Sequence, residues 1–153
     1  MTKNILAIDP GKSGGMAWTD GESTLCRNMP DTVGDLVDTL HALRLKGIEI
    51  AYVEKINGFV KGAGAGQMFH FGQGVGRIEA ALYALKFKAI YVTPQAWQKA
   101  LSIGAKKDHG KNWKNHLKDH AQRRYPNVEI TLKTADSLLI LEYAKLNYTI
   151  TTQ

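Results

Sequence analysis

The chain has a single cysteine, Cys26, among its 153 residues. No intrachain disulfide can form, so packing must hold the fold, and a reducing cytoplasm is the expected setting. Cys26 itself reads as a small buried hydrophobe. A long hydrophobic run is also missing: the richest stretch, "SLLILEYAKL", is interrupted by Glu142 and Lys145. With no signal-peptide layout at the start, the expectation is a protein neither exported nor spanning a membrane. Repeats, linkers and low-complexity tails are absent too, and the length suits one domain over 1–153.

A complete phosphate-binding loop is the next absence. "IDPGKSGG", Ile8 to Gly15, contains the Gly-Lys-Ser that closes such a loop, but Leu6 stands where the signature needs its first glycine. A leucine inside the strand "NILAID" denies the backbone the freedom a phosphate cradle requires. What remains is a strand ending in Asp9, a Pro10-Gly11 turn and a second strand. A strand end is a rigid place to hold a reacting group, although an aspartate opening a turn is more often structural.

Negative charge is scarce in one place. The net charge is +6, and the segment from Lys99 to Arg124 holds eight basic residues against only Asp108 and Asp119, so it carries the whole excess. A solvated helix face is the ordinary fate of such a run. A neutral body with one basic segment also suits a polyanion-binding surface, and nucleic acid is favoured here. Lys106, Lys107, Lys111, Lys114 and Lys118 are the candidate DNA contacts. His109, His116 and His120 lie among them, but without a second cysteine and with poor ligand spacing they do not make a zinc site; a solvated or DNA-facing role is expected.

Three short apolar segments, Asn4–Asp9, Gly14–Thr19 and Ser23–Asn28, read as an antiparallel meander. Val33, Leu36, Val37, Leu40 and Leu43 follow helical spacing, with Asp31 as the expected N-cap and Gly47 as terminator. "EIAYVE" reads as a strand ending in Glu54, apolar enough to be covered on both faces. The next 22 residues hold seven of the 15 glycines, yet Phe71, Val75, Ile78, Leu82 and Leu85 predict a helix from about Gln67 to Lys86 with Phe71 facing the core. "AIYV" predicts another strand and "PQAWQKAL" a short helix with proline in its first turn. A basic helix follows, and "TADSLLILEYAKLNY" predicts a last helix with Thr134 as N-cap and Asp136 in its first turn. Trp97, Trp113, Tyr143 and Tyr148 are assigned to packing.

Two strands thus end in acids, Asp9 and Glu54, and a helix carries a third, Asp136, in its first turn. If these elements are neighbours the carboxylates converge, and convergent carboxylates repel unless a hard cation such as Mg²⁺ sits among them. Two such ions roughly 4 Å apart can activate water and stabilise the leaving oxygen in phosphodiester hydrolysis.

With "ILAIDPGKSGG", "AYVEK", "YVTPQAWQKAL" and "TADSLLILEYA" in this order over most of its length, the sequence resembles the RuvC-type Holliday junction resolvases of the ribonuclease H-like superfamily, most of all the short versions encoded by bacteriophages. The resemblance implies an α/β fold with a five-stranded mixed sheet, its first three strands antiparallel, flanked by helices. It implies a Mg²⁺-dependent endonuclease, with two ions per site and Mn²⁺ able to substitute, that acts as a homodimer on four-way and other branched DNA and leaves paired nicks. For a phage-encoded copy the setting would be the bacterial host's cytoplasm. By the same resemblance Asp9 bridges both metals, Glu54 holds one and Asp136 the other.

One departure matters. Cellular members usually carry a fourth acid three residues before the helix aspartate, and Lys133 stands there. Either three carboxylates plus phosphate oxygens suffice, or another acid such as Glu129 helps, or the chain is a junction-binding protein that cuts poorly. Lys133 is a candidate phosphate contact beside Asp136. In the family the glycine-rich stretch faces the junction centre, which makes Phe69, with Phe59 and His70, candidates for stacking on unpaired bases. Actin-like and sugar-kinase ATPases share the early aspartate, but they need two domains around a nucleotide cleft, and this chain is too short for both.

Overall fold

The computed structural model describes residues 4–56 and 62–151; Phe59 lies outside them. Five strands, β1 (Ile5–Asp9), β2 (Gly15–Thr19), β3 (Thr24–Asn28), β4 (Ile50–Glu54) and β5 (Lys88–Val92), form one sheet in the order β3-β2-β1-β4-β5. β1, β2 and β3 pair antiparallel, while β4 runs parallel to β1 and β5 parallel to β4. This is the mixed sheet, with its antiparallel opening, that the sequence led us to expect.

Side-chain alternation along the strands assigns residues to faces. Leu6 and Ile8 of β1, with Ala51 and Val53 of β4, point to α1 (Val33–Leu45) and α2 (Ala65–Ala84). Ile5, Ala7 and Tyr52 point the other way, into a core shared with α3 (Pro94–Ala100), α4 (Trp113–Arg124) and α5 (Ala135–Thr151). Leu6, Ile8, Met16, Leu40, Leu138 and Leu139 are fully buried, each worth about 1.5–3 kcal/mol relative to exposure. The same alternation puts Asp9 and Glu54 on the α5 face. Ile8 pairs with Val53, so the next step of that parallel register brings the two acids side by side.

Several boundaries differ from expectation. α1 is capped by Thr32 rather than Asp31: its Oγ1 accepts from the Asp35 N–H at 3.1 Å and donates to the Asp35 carboxylate at 2.8 Å, two bonds that fix the first turn one residue later. α2 begins two residues before Gln67, because the Gln67 side chain reaches back to accept from the Gly64 N–H at 3.3 Å. It stops at Ala84, and Lys86 turns out of it with φ 63°. Phe71 is not in the core. It is half-buried and covers the β1–β2 turn, where a Cβ on Gly11 would come within 3.2 Å of its ring. α5 does begin directly after Thr134, as expected, and the Thr134 hydroxyl accepts from the Thr131 N–H at 3.0 Å, closing the preceding loop. Among the described residues no helix is long and apolar enough to cross a membrane.

Candidate active site

At the end of β1 the chain cannot continue as strand. Pro10 lacks an N–H, Gly11 takes φ +111°, and a Cβ at Gly14 would stand 2.0 Å from the Asp9 carbonyl oxygen. The turn leaves Asp9 at the end of the central strand with only 8% of its surface exposed, beside Glu54 at 9%. Asp136 arrives from the opposite direction. The start of α5 lies against β2 at Gly15, where a Cβ would sit 2.7 Å from the Lys133 carbonyl oxygen and 3.2 Å from Thr134 Cα. Only a glycine lets the helix come this close, and the approach carries Asp136, 7% exposed, over the two strand ends.

The electrostatics record the convergence. Burial, then Asp136 and Glu54, hold the Asp9 carboxyl well above the usual carboxylate range, against a smaller pull from Lys114. Burial pushes Glu54 up to about 7; a hydrogen bond from Trp97 lowers it, Asp136 raises it and Lys114 lowers it. For Lys114, burial acts downward, but the Asp136 charge and hydrogen bond, followed by Asp9 and Glu54, raise it overall.

Two side chains hold the acids in place. Trp97 Nε1 donates to Glu54 Oε2 at 2.8 Å from a fully buried ring, so this tryptophan both fills the core and orients a carboxylate. Lys114 Nζ donates to Asp136 Oδ2 at 3.0 Å. The other oxygen of Asp136, Oδ1, is buried with no hydrogen-bond partner among the described residues. An all-oxygen set of crowded carboxylates with one oxygen unsatisfied fits a hard divalent cation. No three His, Cys, Asp or Glu side chains among the described residues enclose an ion as they stand; the positive charge in the cluster is the Lys114 ammonium.

The candidate residues fall into two groups. Asp9, Glu54, Asp136 and Lys114 come together. Lys133 is exposed at its side chain and meets the site through its backbone, so the cation beside Asp136 is Lys114, which the sequence placed only on a DNA path. Glu129 is exposed, and its carbonyl accepts from Cys26 Sγ at 3.6 Å on β3, away from the acids. Lys106 and Lys107 lie exposed on a turn of 3-10 helix, Lys111 on a second, and Lys118 one turn beyond Lys114 on α4. The histidines pack on one another: His109 stacks on His116 at 3.7 Å, and His116 Nε2 lies 2.6 Å from the Ile103 carbonyl. Phe69 is 63% exposed in the first turns of α2, with His70 edge-on at 5.6 Å. A groove of about 1020 Å³ between Phe71, Arg77, Lys12 and the start of α1 lies on the other face of the sheet from the acids.

No protein-family profile and no curated protein matches the chain. Solved structures do. The Thermus thermophilus RuvC structure superposes with a TM-score of 0.55 at 18% identity, covering 94% of this chain and 96% of that one. The chain has the RuvC fold. T. thermophilus RuvC in complex with a Holliday junction substrate gives a TM-score of 0.58 at 16% identity, over 90% of this chain and 88% of that one. At such identities it is the RuvC architecture that is shared, nearly end to end.

Proposed function

We propose that this protein is a structure-selective endonuclease that resolves four-way and other branched DNA junctions by metal-dependent phosphodiester hydrolysis. The observation that carries the reading is the meeting of Asp9, Glu54 and Asp136 at one end of the sheet, with an unsatisfied carboxylate oxygen. The fold likeness to a RuvC in complex with a Holliday junction substrate supports the choice of DNA.

Asp9, Glu54 and Asp136 would together hold the Mg²⁺ ions. When bound, such ions supply an activated water and a clamp on the leaving oxygen. The chain's own contributions are distinct. Trp97 fixes the Glu54 carboxylate, and the core behind α5 keeps Asp136 from moving. Lys106, Lys107, Lys111 and Lys118 would follow the phosphate backbone, whose charge dominates affinity for DNA. Lys133, exposed beside the cluster, would meet a phosphate from outside, and Phe69 would stack on an unpaired base. A homodimer would set two such sites on opposed strands and leave paired nicks.

The test is a labelled four-way junction incubated with protein and Mg²⁺ or Mn²⁺. Nicks are expected from the wild type, and none from Asp9→Asn, which should still retard the junction because its phosphate contacts lie elsewhere. Retarded bands without nicks from the wild type would mean a junction-binding protein that does not cut.

A further inference from the structure

We propose that the Lys114 ammonium is an internal competitor for the cation position at Asp136, so that a divalent ion gains the full charge of that carboxylate by displacing the lysine. The inference rests on the reading of the three acids as a metal centre, and it concerns this chain's own residue rather than the ion.

The geometry is that of a counter-ion in residence. Lys114 Nζ stands 3.0 Å from Asp136 Oδ2, and the aspartate side chain is 10% exposed while the lysine side chain is 55% exposed. The acid is therefore fixed in protein and the cation is held from the solvent side. Among the described residues Asp136 Oδ1 is buried with no hydrogen-bond partner, so the ammonium satisfies one oxygen and leaves the second waiting. A dication brought to either oxygen of this carboxylate would stand close to the ammonium and meet its repulsion.

Lys114 can leave without disturbing the fold. It is the second residue of α4, whose buried face consists of Trp113, Leu117 and Ala121, so the helix stays seated whatever the lysine head does. Its stem has four flexible carbons, and the side chain as a whole is 55% exposed. One turn along, Lys118 lies on the same side of the helix, and Lys111 lies in the 3-10 turn just before α4. A bound phosphodiester on that basic face offers Lys114 a second anion. In the free protein no such anion is present, and Asp136 keeps its lysine. The sequence placed Lys133 beside Asp136; the ammonium found there belongs to a residue 22 positions away from Asp136.

The experiment is Mn²⁺ titration of the full, DNA-free chain, followed by calorimetry and by the electron paramagnetic resonance of unbound Mn²⁺. The variants are Lys114→Met, Lys114→Gln, Lys114→Arg, Asp9→Asn and the double variant Lys114→Met/Asp136→Asn. Removing the ammonium should tighten Mn²⁺ binding roughly tenfold, the scale on which one nearby charge biases an ionic site. Lys114→Arg, which keeps the charge, should stay near wild type, and the double variant should lose the gain. Lys114→Gln serves if Lys114→Met fails to fold. Unchanged Mn²⁺ affinity in the neutral Lys114 variants, with Asp9→Asn still weakening it, would overturn the competition and leave the metal centre standing. Mn²⁺ binding indifferent to Asp9→Asn would overturn both, and would locate the error in the metal centre.

Discussion

The two long helices of this protein are built on opposite terms. In α5 every residue from Ala135 to Leu141 is buried, Asp136 and Ser137 among the leucines, and the helix packs on β1, β2 and α4. In α2, a helix of 20 residues, only Ile78, Ala81 and Leu82 are buried. Gly66, Gly72, Gly74 and Gly76 would each carry a Cβ into open space, and Phe69 and Tyr83 stand out at 63% and 78% exposure. The contrast separates positioning from contact. A carboxylate that must be held in place is mounted on a fully buried stretch of helix. α2 contributes little to the core and leaves most of its surface to solvent.

The sharpest way to break this contrast is to lift α5 off the sheet. Gly15→Ala would place a Cβ against three backbone atoms, the Lys133 and Arg27 carbonyl oxygens and Thr134 Cα. Backbone cannot rotate away, so the start of α5 must shift and carry Asp136 with it. Junction nicking should fall roughly a hundredfold, the cost of displacing a reacting group by about 1 Å, while circular dichroism and junction retardation stay close to wild type. Trp97→Phe should act more mildly: it keeps most of the ring volume but deletes the N–H that orients Glu54. A loss of roughly tenfold in nicking is expected, with Trp97→Tyr no better, since its hydroxyl extends from another point of the ring.

The buried side also has a pH signature. The Glu54 carboxyl in the folded chain titrates near 7 against an ordinary value of 4.5, so its protonated form favours the native state. That contribution is complete below about pH 4.5 and is lost as the pH rises through about 7. Without divalent ions, the melting temperature of the wild type should fall by a few degrees over this window relative to Glu54→Gln. Equal slopes for the two proteins would mean that Glu54 is better solvated than its burial indicates.

The smallest effect belongs to α2. Gly74→Ala should stabilise the chain by up to about 1 kcal/mol, the difference in helix propensity, because nothing lies within 4 Å of the new methyl group. Urea unfolding measures it. A destabilisation would show that α2 is already packed against a partner in solution.

What the sequence made legible was local. Short apolar runs and turn residues located β1 and β4 and their terminal acids, and an N-cap with an apolar run behind it located Asp136 in the first turn of α5. Those rules act over a few residues. The rest depended on which elements touch. Lys114 meets Asp136 across 22 positions and Trp97 meets Glu54 across 43, and neither pairing leaves a periodic trace in the chain. Gly15 could be read only as half of a flexible Gly-Gly pair until α5 lay against it. Thr32 displaced Asp31 as a cap for a local reason: either side chain can accept a hydrogen bond, and only the hydroxyl can also donate one to Asp35.

The hydrogen bond between Trp97 and Glu54 makes the site visible to light. An indole N–H held by a carboxylate at 2.8 Å, in a ring with no exposure to water, ties an excited-state dipole to the charge on that carboxylate. Protonation of Glu54, or a cation settling on it, changes the field along the ring and so the colour and yield of the emission. With Trp18 and Trp113 replaced by phenylalanine, Trp97 alone would report the state of the acid cluster, and the chain would need no added dye.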